Sequence, residues 1–373
     1  MTAAALIAII SFFAFHSFGG RLIYAGTYNQ AEKFFAEFFD TFDTVVTFTA
    51  FAKDRSEFDA YLNIVHGEMT RLHRMFDIYS SYEGLNNMRT INEAAGTASV
   101  KVDPDIVELL ETAKTAYADT NGAVNIALGP VLSIWHDCRK RALINSTDIS
   151  APSYEELNAA SKHISPYDIE IDRENFTVRL RYSGMSLDVG AIGKGFAAQK
   201  TVEAVRKAGL ESGLLNAGGN VIVIGPPLDG REAWNIGIHT PTEDGDRSKL
   251  FDVVYLAEGS AVTSGNDQRY FVVDGKRYHH IINPETLFPA ESVRSVTVLH
   301  PDSAAADILS TAAFILRLEE ARQMIERHGA EAVWITQDWK TVATDGYLRL
   351  SKTGRENTGR TGSASKTGGD KFQ

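Results

Sequence analysis

The segment SLDVGAIGKGFAA, residues 186–198, constrains the fold of this chain more than any other stretch. Gly190, Gly193 and Gly195 let the backbone turn tightly and bring amide groups close to a ligand. The pattern predicts a strand over 186–189, a glycine-rich turn, and a helix from Phe196 to Ala208. The start of such a helix offers N–H groups and a dipole to an anion. Lys194 adds a point charge suited to phosphate, and Asp188 adds an acceptor at the strand end. The segment is neither a Walker A loop nor GxGxxG. On its own it fits close helix–strand packing with a solvated lysine equally well.

The rest of the chain sets limits on the partner. Hydrophobic residues make up 44% of the 373 and charged residues 23%, the profile of a globular protein with a sizeable core. A net charge of -11 argues against a nucleic-acid surface, which demands a basic footprint. It leaves room for a nucleotide held by backbone amides, one lysine and a metal. Cys138 is the single cysteine, which excludes intrachain disulfides and cysteine-based zinc sites.

Residues 1–18 are nearly all apolar, interrupted only by Thr2, Ser11, His16 and Ser17. Residues 1–20 therefore read as a signal peptide or signal anchor, although no Lys or Arg precedes the run. The expectation is an exported protein held at the cell membrane and facing its extracytoplasmic side. The tail, 351–373, is rich in Gly, Ser, Thr and Lys without apolar periodicity and is expected to be disordered.

Between these ends, 40–350 reads as α+β, with mixed β-sheets flanked by helices. Helical spacing is predicted over Gln30–Asp40 and Ser56–Phe76, and Asp103–Asp119 opens with Asp-Pro. Strand patterns fall at 43–51, 169–171, 177–182, 213–215, 234–239, 252–256, 269–273 and 293–299.

Further stretches could carry chemistry. NAGGN, 216–220, is a second glycine turn at a strand end. Asp307 and Thr311 stand four apart on a predicted helix opened by Ser303, so their oxygens share a face and suit a hard cation. A dipole-complementing Asp and a back-bonding Thr fit the same spacing. His279 and His280 are adjacent on a strand, so they point to opposite faces and do not ligate one metal together. One of them could carry a proton.

Taken in order, these segments resemble the ApbE family, the FAD:protein FMN transferases. Asp188–Gly195 matches the family's D-[LV]-G-[GA]-I-[AG]-K-G loop, and Asn216–Gly219 its N-A-G-G strand end. Thr263–Gly265, His280–Thr286 and Ala306–Thr311 match T-S-G, H-I-I-[DN]-P-x-T and A-D-x-L-[AS]-T. Asn121–Pro130 matches an upstream motif, with Asn125 where the family more often has Asp; that change removes a charge. The likeness runs from about Phe42 to Tyr347.

The resemblance implies a T-fold-like catalytic body and a division of labour. Asp188 and Lys194 would bind FAD, and Ala123, Val124, Asn125 and Ser264 would line the flavin nucleotide site. Phe42 and Tyr79 would contact flavin or adenine. Ala191, through its carbonyl, would hold Mg2+ together with Asp307 and Thr311. His280 would sit near the reacting phosphate. The implied activity is cleavage of FAD with release of AMP and attachment of FMN by a phosphoester bond to a Ser or Thr of a target flavoprotein. An FAD pyrophosphatase that releases FMN and AMP, a non-catalytic flavin-binding protein, and an interaction module are the alternatives.

Overall fold

The computed structural model describes residues 31–144, 150–242 and 248–356. The candidate signal segment, 1–20, lies outside the described residues. Among those described, no helix is long and apolar enough to cross a membrane.

Strands β1, Glu32–Thr41, and β2, Thr44–Ala52, form an antiparallel hairpin. The first strand corrects the helix expected over 30–40. Phe34, Ala36 and Phe38 pack against the core, while Phe35 and Phe39 remain exposed. Phe pairs at 34–35 and 38–39 satisfy a helical stripe and a two-sided strand alike. The available partner β2 and the preference of aromatics for a pleated surface decide between them.

The sheet continues through β3, Gly213–Ala217, β4, Asn220–Ile224, β5, Gly259–Gly265, β6, Val293–His300, β7, Glu331–Thr336, and β8, Thr341–Ala343. Spatial order in this eight-stranded sheet follows chain order, and each neighbouring pair is antiparallel. Long excursions between consecutive strands supply the helices, which gives the expected α+β class.

Helix α1, Arg55–Phe76, is capped by Asp54, whose side chain accepts from Glu57 N–H. It buries Phe58, Tyr61, Val65, Met69 and Leu72 at three- and four-residue spacing. Helix α2, Gly129–Ile144, packs through Trp135 on a small hairpin, Tyr270–Val273 with Lys276–His279. Cys138 is buried in the same cluster as Trp135. Helix α3, Gly193–Lys207, and helix α4, Ser303–Ile315, join α1 on one face of the main sheet. Helix α4 is buried almost all round, which explains its unbroken apolar sequence. Its N-cap is Asp302, accepting from Ala305 N–H, one residue ahead of the expected Ser303. The opposite sheet face is covered by the hairpin Trp234–His239 with Leu250–Leu256.

Residues 186–189 belong to no strand, contrary to expectation. A side-chain amide takes the place of a ladder partner there. Asn92 Oδ1 accepts from Leu187 N–H at 2.6 Å, and its Nδ2 donates to Leu187 O at 3.0 Å. At the other end, Ser351 is buried and Thr353 N–H donates to Asp252 Oδ1 at 3.2 Å. The tail expected from 351 therefore begins with a packed turn, and 357–373 lie outside the described residues.

Candidate active site

One end of the main sheet gathers the turn between β1 and β2, the turn between β3 and β4, and the end of β5. Register fixes this, because Val46 pairs with Ala217 and Val262 with Asn220. A cavity of about 340 Å³ opens there, closed off by the start of α3, by α4 through Asp307, Thr311 and Ile315, by α2, and by the loop after His280.

The turn between β3 and β4 is the NAGGN segment. Gly218 has φ of +60°, and a Cβ there would lie 2.1 Å from Thr44 Oγ1, so only glycine lets the two turns touch. Phe42 and Asp43, in the facing turn, have φ of 54° and 50°. Both central residues thus adopt the left-handed region that a two-residue hairpin needs, without the usual Asn-Gly. His73 accepts the Phe42 N–H at 3.2 Å, and the Phe42 ring meets the His73 ring edge-on at 5.3 Å. Phe42, His73 and Phe76 form one wall.

The glycine loop forms the second wall. Asp188 Oδ1 accepts from Gly190 N–H at 2.9 Å and folds the loop onto itself. Lys194 lines the cavity and has no ion-pair partner among the described residues. Helix α3 starts at Gly193 with no side-chain cap from its own segment. Asp307 of α4 takes that part: its Oδ2 accepts from Gly195 N–H at 2.8 Å, placing a carboxylate at the positive helix end.

Asp307 and Thr311 both face the cavity beside Ala191. Among the described residues no hydrogen bond ends on Asp307 Oδ1 or involves the Thr311 hydroxyl. Back-bonding of Thr311 to the main chain is therefore not its use here. A carbonyl, a carboxylate oxygen and a hydroxyl are hard donors that fit Mg2+ sharing its shell with substrate phosphate and water. The described residues hold no cluster of three His, Cys, Asp or Glu, the donor pattern of a self-sufficient transition-metal site.

The two histidines have separated roles. His279 is buried, its Nε2 donates to Ala290 O at 2.8 Å, and its Nδ1 accepts from Ile281 N–H. It is a structural residue, and burial pulls its pKa down to about 4. His280 lines the cavity, and its buried Nδ1 has no hydrogen-bond partner. Burial, reinforced by Arg269, His279, Lys194 and Arg139, holds the His280 imidazole well below its ordinary pKa, so it is neutral at pH 7.

Ala123 and Asn125 line the cavity, whereas the Val124 side chain is buried in the core. Asn125 Oδ1 accepts from Ala127 N–H at 2.9 Å, and its Nδ2 donates to Ile164 O at 2.9 Å. A carboxylate could not make the second bond, so the amide suits this position. Ser264 shares a hydrogen bond with Ser310 Oγ at 2.9 Å and borders the cavity. Tyr79 stands at the rim, 62% exposed.

Several cavity residues escaped the sequence reading. Leu132, His136 and Arg139 recur at four and three along α2, one helix face turned to the cavity. That spacing, directly after the Asn121–Pro130 motif, is a signal that could have found them. Arg269, which reaches the carbonyls of Phe42 and Asp43, left no such trace, because its partners are 226 and 227 residues away.

A glycine loop at a helix start, a lysine without an ion-pair partner among the described residues, hard oxygen donors and a neutral histidine share one cleft, an arrangement that suits a phosphate-bearing ligand. The ApbE family profile matches residues 42–334, and the chain belongs to that family. It is 36% identical over 270 residues to the FAD:protein FMN transferase of Treponema pallidum (strain Nichols), covering 70% of this chain and 74% of the relative. A relative of the same name in Klebsiella pneumoniae (strain 342) is 32% identical over 274 residues, covering 71% and 82%. The crystal structure of the ApbE protein of Thermotoga maritima superposes with a TM-score of 0.75 at 27% identity, covering 86% of this chain and 99% of that one. The flavin transferase ApbE of Vibrio cholerae shares the fold, with a TM-score of 0.71 at 20% identity and coverage of 86% and 99%.

Proposed function

We propose that this chain is an FAD:protein FMN transferase that uses Mg2+ to split FAD, releases AMP and leaves FMN on a Ser or Thr of a target flavoprotein. The observation that carries the reading is the neutral His280 with its unpartnered Nδ1, in the same cleft as Lys194 and the free oxygens of Asp307 and Thr311.

Ala191 O, Asp307 Oδ1 and Thr311 Oγ1 would hold the cation. When bound, Mg2+ neutralises charge on the phosphate oxygens and favours in-line displacement. Lys194 orients the phosphates as a point charge. The acceptor oxygen bonds to the FMN-side phosphorus as the bond to the AMP oxygen breaks. The His280 imidazole takes the proton that the hydroxyl gives up, which requires its neutral form. Phe42, Phe76 and Tyr79 offer aromatic surface to the flavin or adenine ring. The apolar run at residues 1–18 supports export and retention at the membrane, with the catalytic body on the extracytoplasmic side.

Incubation with FAD, Mg2+ and a candidate acceptor tests the reading by mass spectrometry. An acceptor heavier by one FMN supports it. AMP and free FMN with an unmodified acceptor would point to the pyrophosphatase, and no FAD cleavage at all would sink both.

A further inference from the structure

Helix α2 presents a residue to the cleft that the transfer chemistry above does not use. His136 lies between two cavity-lining groups from distant parts of the chain. Its Nδ1 is 3.0 Å from the Tyr79 hydroxyl, and its Nε2 is 3.9 Å from Asp188 Oδ2. The loop after α1, the helix α2 and the glycine loop thus meet at one imidazole.

Its tautomer follows from the neighbours. A proton on Nδ1 would turn a bare Nε2 lone pair toward the Asp188 carboxylate, acceptor against acceptor. With the proton on Nε2, that nitrogen faces Asp188 as a donor and Nδ1 accepts from Tyr79. At 3.9 Å the Asp188 contact is longer than a hydrogen bond, and the Nε2–H faces the carboxylate as an electrostatic contact. Burial, with Arg139 and Arg269 nearby, favours the neutral ring over the opposing pull of Asp188 and Asp137.

Tyr79 needs such an anchor. Its main chain is fixed, because Asp77 Oδ1 accepts from its N–H at 2.6 Å and Arg89 Nη1 donates to its carbonyl at 2.6 Å. The residue, in contrast, is 62% exposed, and among the described residues the hydroxyl meets His136 as its hydrogen-bond partner. An exposed tyrosine without that bond would sample several rotamers. Asp188 is already committed through Oδ1 to Gly190 N–H, so a link to Oδ2 ties Tyr79 to the phosphate-side loop itself.

We propose that His136 is a positioning residue that fastens Tyr79 across the cleft to the Asp188 loop and so fixes the wall against which the flavin nucleotide is held. The inference rests on the FAD chemistry proposed above. It assigns His136 to substrate enclosure and gives it no part in the phosphoryl step.

The test combines FAD binding, read by flavin fluorescence, with steady-state FMN transfer. His136→Leu is expected to raise KM for FAD about fivefold, the worth of one hydrogen bond, with kcat changed less than about twofold. Tyr79→Phe, which removes the same bond from the exposed side, is expected to match it, and the double variant to add nothing further. His136→Asn, which keeps an acceptor near the Nδ1 position, is expected to recover most of the affinity. Tyr79→Phe also keeps the idea testable if His136→Leu unfolds. Wild-type affinity in either single variant, or effects that multiply in the double variant, would overturn the role of His136 alone. A wild-type protein that binds no FAD would overturn the proposed function along with it.

Discussion

Gly195 and Asp307 meet across the two helices that form the phosphate end of the cleft: the Gly195 N–H donates to Asp307 Oδ2 at 2.8 Å. A Cβ on Gly195 would lie 2.5 Å from Asp307 Cβ and 2.4 Å from Ser303 O. The glycine is therefore what lets α4 approach the start of α3 closely enough to place its carboxylate there. Gly195→Ala should push the helices apart, destabilise the fold by about 1–3 kcal/mol and remove most FMN transfer. Thermal melting together with a transfer assay checks this, and an active variant of unaltered stability would contradict it.

Asp307→Asn separates two uses of one side chain. The amide oxygen can still accept from Gly195 N–H, so the melting temperature should move little. The lost charge should weaken Mg2+ binding and lower FMN transfer by about a hundredfold or more, as a chelator should in the wild type. Transfer at the wild-type rate in the variant, or in EDTA, would remove the metal from the reaction.

Phe42 and Asp43 hold left-handed backbone at a turn where Asn-Gly would sit without strain. Replacing the pair by Asn-Gly relieves that strain but forfeits the Phe42 packing on His73 and Phe76, so stability in a denaturant melt should move by less than about 1 kcal/mol. The replacement should also raise KM for FAD, because the Phe42 ring leaves the cleft wall. An unchanged KM would show that the ring serves only the packing against His73 and Phe76.

His279 has a folded-state pKa of about 4 against an ordinary value of 6.5. Above 6.5 neither the folded nor the unfolded chain carries its proton. Between the two values only the unfolded chain takes one up, so stability is lost as pH falls through this window, by up to about 1.4 kcal/mol per pH unit. His280 shifts in the same direction and adds to the wild-type slope. His279→Gln, which can still donate to Ala290 O, should flatten the fall in melting temperature between pH 6.5 and 4. An identical slope would mean that His279 does not contribute.

Local sequence determined much of this protein. The helix at 55–76 and the strand at 44–52 were legible because their side-chain periods match one face each. The family was legible because its motifs are short, contiguous and ordered, and each keeps the residue types that its local turn requires. Asp307, Thr311, Lys194 and His280 could be named for the same reason.

Tertiary contact decided what periodicity leaves open. Phe34–Phe39 carry apolar residues compatible with helix and strand, and the neighbouring strand made them an edge. Of two adjacent histidines, the pairing of His279 with Ala290 left His280 for the cleft. Residues 186–189 looked like a strand, but the Asn92 amide, 95 residues away, took both backbone groups of Leu187, and Ile126 O took the Asp188 N–H. The partners of His136, Tyr79 and Asp188, stand 57 and 52 residues away in the chain and meet it only when α2 is laid against them. Hydrogen bonds of that span leave no period in the sequence, because their geometry is set by how whole elements pack.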